Sequence, residues 1–116
     1  MQEVSVIIPN FNGMAYLDGV LAGLECQTVN NFEVILVDNG SSDGSCAFVS
    51  ARYPWVHLIE LPENFGFCKA VNEGIKASRA PYVLLLNNDI EVTENFIEEM
   101  ISAIRRHPKA FSCAAR

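Results

Sequence analysis

Asn87, Asn88 and Asp89 end an apolar run that begins at Tyr82. An uninterrupted apolar run predicts a strand buried on both faces, which is typical of central strands in a parallel sheet. Ligands of open α/β sheets bind just outside the carboxyl ends of such strands. We therefore expect Asp89 at a binding crevice, where its carboxylate suits a hard divalent cation that also binds substrate phosphates.

The amides of Asn87 and Asn88 suit the same crevice, because they can orient Asp89 or bond to a ribose or a phosphate. The alternative interpretation is a turn before the last predicted helix, for which Thr93 is the expected N-cap. We favour the binding interpretation, since three oxygen-bearing side chains follow the strand without a gap.

Polar side chains also follow two earlier predicted strands, at residues 10–12 and 38–44. Phe11 lies between two asparagines, where an aromatic ring either offers a surface on which a base stacks or folds back onto the core. Asp38 follows an apolar strand, where a carboxylate either accepts a hydrogen bond from a base N–H or organises the turn. Both interpretations stay open for each residue.

Residues 64–74 begin another predicted helix. Gly66 would permit a close approach of the backbone to a ligand, and Lys69 could reach a diphosphate. The alternative for Lys69 is an exposed helix face, and Gly74 is expected to serve helix packing. His57 and His107 are separated from the polar residues that follow these predicted strands, so we expect both histidines to be structural or solvated.

The elements that position these residues alternate between strand and helix. Strands are predicted at residues 4–8, 32–37, 56–61 and 82–86, with a fifth one at 110–114, and helical spacing of apolar residues separates them. This alternation predicts a mostly parallel sheet with right-handed crossovers, in a three-layer α/β/α arrangement. With a strand order of 3-2-1-4, the carboxyl ends of the first, second and fourth strands converge. These three ends, each followed by polar side chains, are called the marked strand ends below.

Composition excludes several classes of protein. The 116 residues carry a formal net charge of −6, which argues against nucleic-acid binding, and no apolar run is long enough to span a membrane. The cysteines at 26, 46, 68 and 113 form no CxxC pair, so the spacing of a zinc site is absent. Three of them lie among apolar residues, where we expect them to be buried. We expect a reducing, cytoplasmic compartment. Neither GxGxxG nor a P-loop motif is present, and no Ser-His-Asp arrangement is suggested.

Four motifs in this order and spacing resemble those of family 2 glycosyltransferases. They are Val6-Ile7-Ile8-Pro9-Asn10-Phe11-Asn12, Val34-Ile35-Leu36-Val37-Asp38-Asn39-Gly40-Ser41-Ser42-Asp43-Gly44, Asn64-Phe65-Gly66 through Asn72-Glu73-Gly74, and Leu85-Leu86-Asn87-Asn88-Asp89. The resemblance covers essentially the whole chain and implies the GT-A fold, with a site for a nucleotide-diphosphate-sugar donor.

The resemblance also implies roles for single residues. Pro9 and Phe11, with Asn10 between them, match the loop that flanks the base, and Asp38 matches the acid that recognises uracil or thymine. Residues 87–89 match a DxD-type motif in which Asp89 is the metal ligand, for Mg²⁺ or Mn²⁺. Asn87 replaces the first acid of that motif, and Gly66 stands where some relatives carry a basic phosphate contact.

Family 2 enzymes of this kind invert the anomeric centre, and their general base lies in the second half of the domain. We expect residues 1–116 to be a single donor-binding part, with the acceptor half and every catalytic residue outside it. The expected parent transfers sugar from a UDP- or dTDP-type donor to a glycan or lipid-linked acceptor in cell-surface polysaccharide synthesis, at the inner face of the membrane. The alternatives are a sugar-nucleotide nucleotidyltransferase, or a non-catalytic module that dimerises through an exposed sheet edge.

Overall fold

A computed structural model describes residues 3–106 and contains one four-stranded parallel sheet flanked by helices. The elements in chain order are β1 (Val4–Asn10), α1 (Met14–Glu25), β2 (Phe32–Asp38), α2 (Ser45–Arg52), β3 (His57–Glu60), α3 (Phe67–Ala77), β4 (Tyr82–Leu85) and α4 (Phe96–Arg106). The predicted fifth strand, His107 and Cys113 lie outside the described residues.

The strand order is β3-β2-β1-β4, as predicted from the sequence. All pairs are parallel, and the register places Asn10 directly beside Asp38 and Ile7 beside Leu85. The carboxyl ends of β1, β2 and β4 therefore meet at one edge of the sheet. This edge is the part of the fold that positions the candidate site.

The helices form a layer on each face of the sheet, which confirms the three-layer prediction. Helices α1, α2 and α4 bury their apolar residues on one face, and α3 packs on β1 and β2 on the other. Gly74 permits the close approach of α3, because a Cβ at this position would lie 2.6 Å from Ile7 Cγ2. The predicted packing role of Gly74 is consistent with this contact.

The prediction that the fourth strand is buried on both faces is wrong. Leu84 and Leu86 are buried, but Tyr82, Val83 and Leu85 are 36%, 42% and 37% exposed. The reason is position, because β4 lies at the edge of the four-stranded sheet while α3 covers β1 and β2. The uniformly apolar sequence of β4 therefore does not show that both faces of this strand are buried.

Two further local expectations are corrected. Cys26 and Cys68 are exposed and Cys46 is partly buried, so at least two of the three cysteines expected to be buried are not fully buried, whichever three they are. Helix α4 begins at Phe96, and the Thr93 hydroxyl bonds to the Asn95 side chain instead of capping a backbone N–H. Among residues 3–106, the helices are all too short or too polar to cross a membrane.

Candidate functional site

Asn10 links the three marked strand ends through its side-chain amide. Its Nδ2 donates to Asp38 Oδ1 at 2.8 Å, and its Oδ1 accepts from Asn88 Nδ2 at 2.7 Å. Only 2% of Asn10 is exposed, so its own end of each bond is shielded from competing water. The amide therefore ties β1 to β2 on one side and to the segment after β4 on the other.

Gly13 makes this arrangement possible because it leaves room for the two amides. A Cβ at position 13 would lie 2.1 Å from Asn88 Nδ2 and 2.3 Å from Asn10 Oδ1. No side chain fits such a gap without displacing one of these groups. The sequence alone gave no signal for this packing role of Gly13.

The loops after β1 and β2 are joined by hydrogen bonds in both directions. Asn12 adopts a left-handed conformation with φ of 51°, and its N–H donates to Ser41 Oγ at 2.8 Å. In return, the N–H of Ser42 donates to Asn12 Oδ1 at 2.8 Å. Asparagine tolerates this conformation better than most residues, which accounts for its presence at position 12.

Asp38 is 2% exposed, and its carboxylate is bonded within the protein. It accepts from Asn10 Nδ2, from the Ser41 N–H at 2.8 Å and from Ser41 Oγ at 2.7 Å. These bonds correspond to the turn-organising interpretation. Recognition of a base by Asp38 stays a prediction.

An open cleft of about 410 Å³ lies at this edge of the sheet. Its lining residues are Pro9, Asn10, Phe11, Asn39, Asn64, Gly66, Phe67, Asn87, Asn88 and Asp89. Every predicted site residue except Asp38 and Lys69 is among them. The structure thus brings residues from four separate segments of the chain to one concave surface.

Two aromatic rings stand at the cleft. Phe11 is 49% exposed, so its ring does not fold back onto the core, and that alternative is wrong. Phe67 is 55% exposed and also lines the cleft. From the sequence, Phe67 was expected only to lie in the helix predicted to begin within residues 64–74, although an aromatic residue directly after Gly66 is a signal for a site residue.

Lys69 lies on the exposed surface of α3. Its Nζ is 3.5 Å from Glu73 Oε2, which also accepts from Lys76 Nζ at 3.2 Å. The hydrogen bond from Lys76, followed by the charge of Lys69, lowers the pKa of Glu73. This placement corresponds to the exposed-helix alternative, and the contact of Lys69 with a diphosphate stays a prediction.

Asp89 is exposed at the cleft, and within residues 3–106 no hydrogen bond is made to its carboxylate. The same part of the chain holds no cluster of three or more acidic, histidine or cysteine side chains suited to a metal ion. The oxygen chemistry of Asp89 suits a hard cation. A cation would therefore need further oxygen ligands, such as those of a bound diphosphate.

Cys46 lies behind the site, on α2. Burial, followed by the neighbouring carboxylates of Asp38 and Glu60, raises the pKa of its thiol to about 12. The thiol is therefore protonated at neutral pH and unsuited to act as a nucleophile. This part of the site is structural.

Comparison with known proteins identifies relatives over almost the whole chain. The sequence profile described as Glycosyl transferase family 2 matches residues 5–116. Glycosyltransferase GlyG of Streptococcus pneumoniae serotype 4 is 30% identical over an alignment of 105 residues that covers 88% of this chain and 35% of GlyG. TuaG of Bacillus subtilis, whose name assigns it provisionally to teichuronic acid biosynthesis, is 27% identical over 113 residues, covering 94% of this chain and 44% of TuaG.

Comparison with solved structures also identifies similar proteins. TarS 1–349 of S. aureus in complex with UDP-GlcNAc matches with a TM-score of 0.83 and 26% identity, over 92% of this chain and 32% of that one. The mannosyltransferase PcManGT of Pyrobaculum calidifontis, in complex with GDP-Man and Mn²⁺, matches with a TM-score of 0.72 and 25% identity, over 77% of this chain and 28% of that one. The chain thus spans about a third of the length of these proteins.

Proposed function

The chain belongs to glycosyl transferase family 2, and on that premise we propose that it forms the donor-binding part of an inverting glycosyltransferase. The donor would be a nucleotide-diphosphate sugar of the UDP or dTDP type. The observation that carries the proposal is the cleft at the joined carboxyl ends of β1, β2 and β4, which is where open α/β sheets bind ligands.

The lining of the cleft supports a nucleotide as the ligand. The exposed ring of Phe11 offers an apolar face on which a base can stack, and the amides of Asn87 and Asn88 offer hydrogen bonds to ribose or phosphate. Asp38 would contact the base only if its bonds to Asn10 and Ser41 rearranged or were shared. The complexes of TarS with UDP and with UDP-GlcNAc support the same ligand class.

Asp89 is the residue that would hold a divalent cation, either Mg²⁺ or Mn²⁺. Its exposed carboxylate supplies a single charged ligand, so we expect the cation to bind together with the donor diphosphate. When bound, the cation would neutralise the charge that develops on the leaving nucleoside diphosphate. The Mn²⁺ in the PcManGT complex supports a metal of this type.

Sugar transfer needs a general base for the acceptor hydroxyl, and we propose that this base lies outside residues 1–116. The chain spans about a third of the length of its relatives, which supports this assignment. The whole protein would act on a glycan or lipid-linked acceptor in cell-surface polysaccharide synthesis, in the cytoplasm and at the inner face of the membrane. The relationship to TuaG supports a pathway of this kind.

Calorimetry with UDP and dTDP, each with and without Mn²⁺, tests donor binding by the chain. We expect one site whose affinity rises when Mn²⁺ is added. Asp89→Asn should remove the effect of Mn²⁺, whereas Glu94→Gln, which neutralises an exposed acid outside the cleft, should retain it.

Full Mn²⁺-dependent binding by the Asp89→Asn variant would remove Asp89 from the metal site. Absence of binding to both nucleotides by the unaltered chain would overturn the proposed donor site. Sugar transfer at a normal rate by the 116-residue chain would contradict the assignment of the base to another part of the protein.

A further inference from the structure

Asn39, the residue after β2, places both ends of its side-chain amide on one loop. Its Oδ1 accepts from the Phe65 N–H at 3.1 Å, and its Nδ2 donates to the Gly66 carbonyl at 2.9 Å. Asn39 is 5% exposed, so its side-chain end of each bond is shielded from water. The loop at residues 64–66 immediately precedes α3 and forms part of the cleft wall.

Gly66 explains why the loop needs such a contact. Its φ of 92° and ψ of 167° lie in a region that is essentially open to glycine alone. A Cβ at this position would meet nothing within 4 Å, so the backbone conformation and not a lack of space requires glycine here. Unusual conformations of this kind persist when surrounding groups fix them, and the amide of Asn39 holds the carbonyl of this residue.

The loop is held from two further directions. The Gly66 N–H donates to Asn64 Oδ1 at 2.8 Å, so both backbone groups of Gly66 are bonded to asparagine side chains. Gly40, with φ of 80°, packs against the same segment, because a Cβ there would lie 2.6 Å from Glu63 Cα. The end of β2 and residues 63–66 therefore form one packed unit.

We propose that Asn39 is a positioning residue that fixes the 64–66 loop and, through it, the Phe67 wall of the donor cleft. This inference rests on the proposed function for the identity of the ligand. Asn39 acts through the loop, because its amide holds the backbone of residues 65 and 66. This backbone leads directly into α3, so it fixes where α3 begins and where the ring of Phe67 lies. A correctly placed wall lowers the cost of ordering the site when nucleotide binds.

The chemistry of the side chain makes the proposal specific. An amide supplies one acceptor for the Phe65 N–H and one donor for the Gly66 carbonyl. Asn39→Asp retains the acceptor and loses the donor, and Asn39→Ala loses both. Both variants should therefore lose loop protection relative to the unaltered chain, and Asn39→Asp in addition places a carboxylate oxygen against the Gly66 carbonyl.

Amide hydrogen exchange of the 116-residue chain without nucleotide, followed by calorimetry with UDP and Mn²⁺, tests the proposal. In Asn39→Ala we expect exchange at the Phe65 amide to accelerate by about tenfold or more, and the Kd for UDP to rise by about tenfold. Core amides such as that of Ile35 should keep their protection. The same two substitutions at Asn30, an exposed residue at the opposite end of β2, serve as controls and should change neither measurement.

Unchanged exchange at Phe65 in both Asn39 variants would overturn the proposal, as would an unchanged Kd for UDP with a loosened loop. Acceleration across the whole core would also overturn it, since it would indicate general destabilisation. Should Asn39→Ala fail to fold, the near-isosteric Asn39→Asp decides by the same criteria. A chain that binds no UDP at all would overturn the proposed function, and the exchange data alone would then decide whether Asn39 holds the loop.

Discussion

At the scale of single residues, the buried amide of Asn10 is the centre of the candidate site. It is the only side chain of the described residues that bonds both to the end of β2 and to the segment after β4. Because an amide donates on one side and accepts on the other, it can connect a carboxylate with a second amide. The position of Asn88, and with it that of Asp89, therefore depends on β1.

Gly13→Ala tests this dependence. The added methyl would lie within 2.3 Å of Asn10 Oδ1 and closer still to Asn88, so we expect a loss of about 1–3 kcal/mol in the free energy of unfolding and weaker nucleotide binding. Gly19→Ala is a matched control at an exposed position of α1. A Cβ at this position meets nothing within 4 Å, and alanine should stabilise the helix. Urea unfolding and calorimetry of both variants provide the comparison, and equal behaviour would contradict the packing role of Gly13.

The cysteines give a second prediction at this scale. The thiol pKa of about 12 predicts that Cys46 reacts slowly with iodoacetamide at pH 8, because the thiolate is the reactive form. Cys26 and Cys68 are exposed and should be labelled first. Peptide mapping by mass spectrometry after timed labelling measures the order, and labelling of Cys46 at the rate of Cys68 in the folded chain would contradict the burial.

At the scale of elements, the carboxylate of Asp43 accepts a hydrogen bond from the first residue of each of two helices. One carboxylate oxygen accepts from the N–H of Met14, the first residue of α1, at 3.0 Å, and the other accepts from the N–H of Ser45, the first residue of α2, at 3.0 Å. The hydrogen bond from the Ser45 side chain is the main cause of the lowered pKa of Asp43. A carboxylate at two helix N-termini also suits both helix dipoles.

Asp43→Asn should therefore reduce the free energy of unfolding by up to about 1 kcal/mol at neutral pH, because the amide keeps one acceptor for the two helix N–H groups and loses the charge that suits both helix dipoles. Because the folded pKa lies below that of the unfolded chain, the carboxylate stabilises the fold at neutral pH. This stabilisation is lost as the pH falls through the folded pKa, below about 4. Urea unfolding between pH 7 and 3 measures the difference between the two proteins, which should shrink at the acid end; a constant difference would contradict a contribution from ionised Asp43.

At the scale of the whole molecule, the face of β4 beside α3 remains uncovered among the described residues. Val83 and Leu85 point to this face, as Ile7 does on β1, and Ile75 of α3 is 47% exposed. Within the described sheet β4 is also an edge strand, so its outer backbone groups and this apolar face together offer a pairing surface. The dimer that the sequence analysis left open as an alternative would use this surface.

Light scattering over a range of concentrations tests the dimer. We expect the mass of the 116-residue chain to rise with concentration, and Val83→Lys to hold it at the monomer value by placing a charge on the edge strand. Tyr16→Lys is the control, because Tyr16 is 56% exposed and belongs to α1, on the opposite face of the sheet. A monomer at every concentration would contradict the pairing of edges.

The sequence alone determined the order of the elements, the strand order and most of the cleft. These features depend on local patterns, since apolar runs such as that of β2 form strands, and parallel strands bring their polar ends, Asp38 and Asp89 among them, to one edge of the sheet. For this reason Phe11, Gly66 and Asn88 could be assigned to one site before any contact was known.

The tertiary structure decided which residues within those segments touch each other. Asn39 and Phe65 are 26 positions apart, and Asn10 and Asn88 are 78 positions apart, so their bonds depend on register and on the direction of each side chain. The exposure of β4 was decided in the same way, by which strands α3 covers. Local patterns specify which strand end carries a polar group, whereas the packing of distant segments determines whether that group faces the ligand or, like Asp38, the interior.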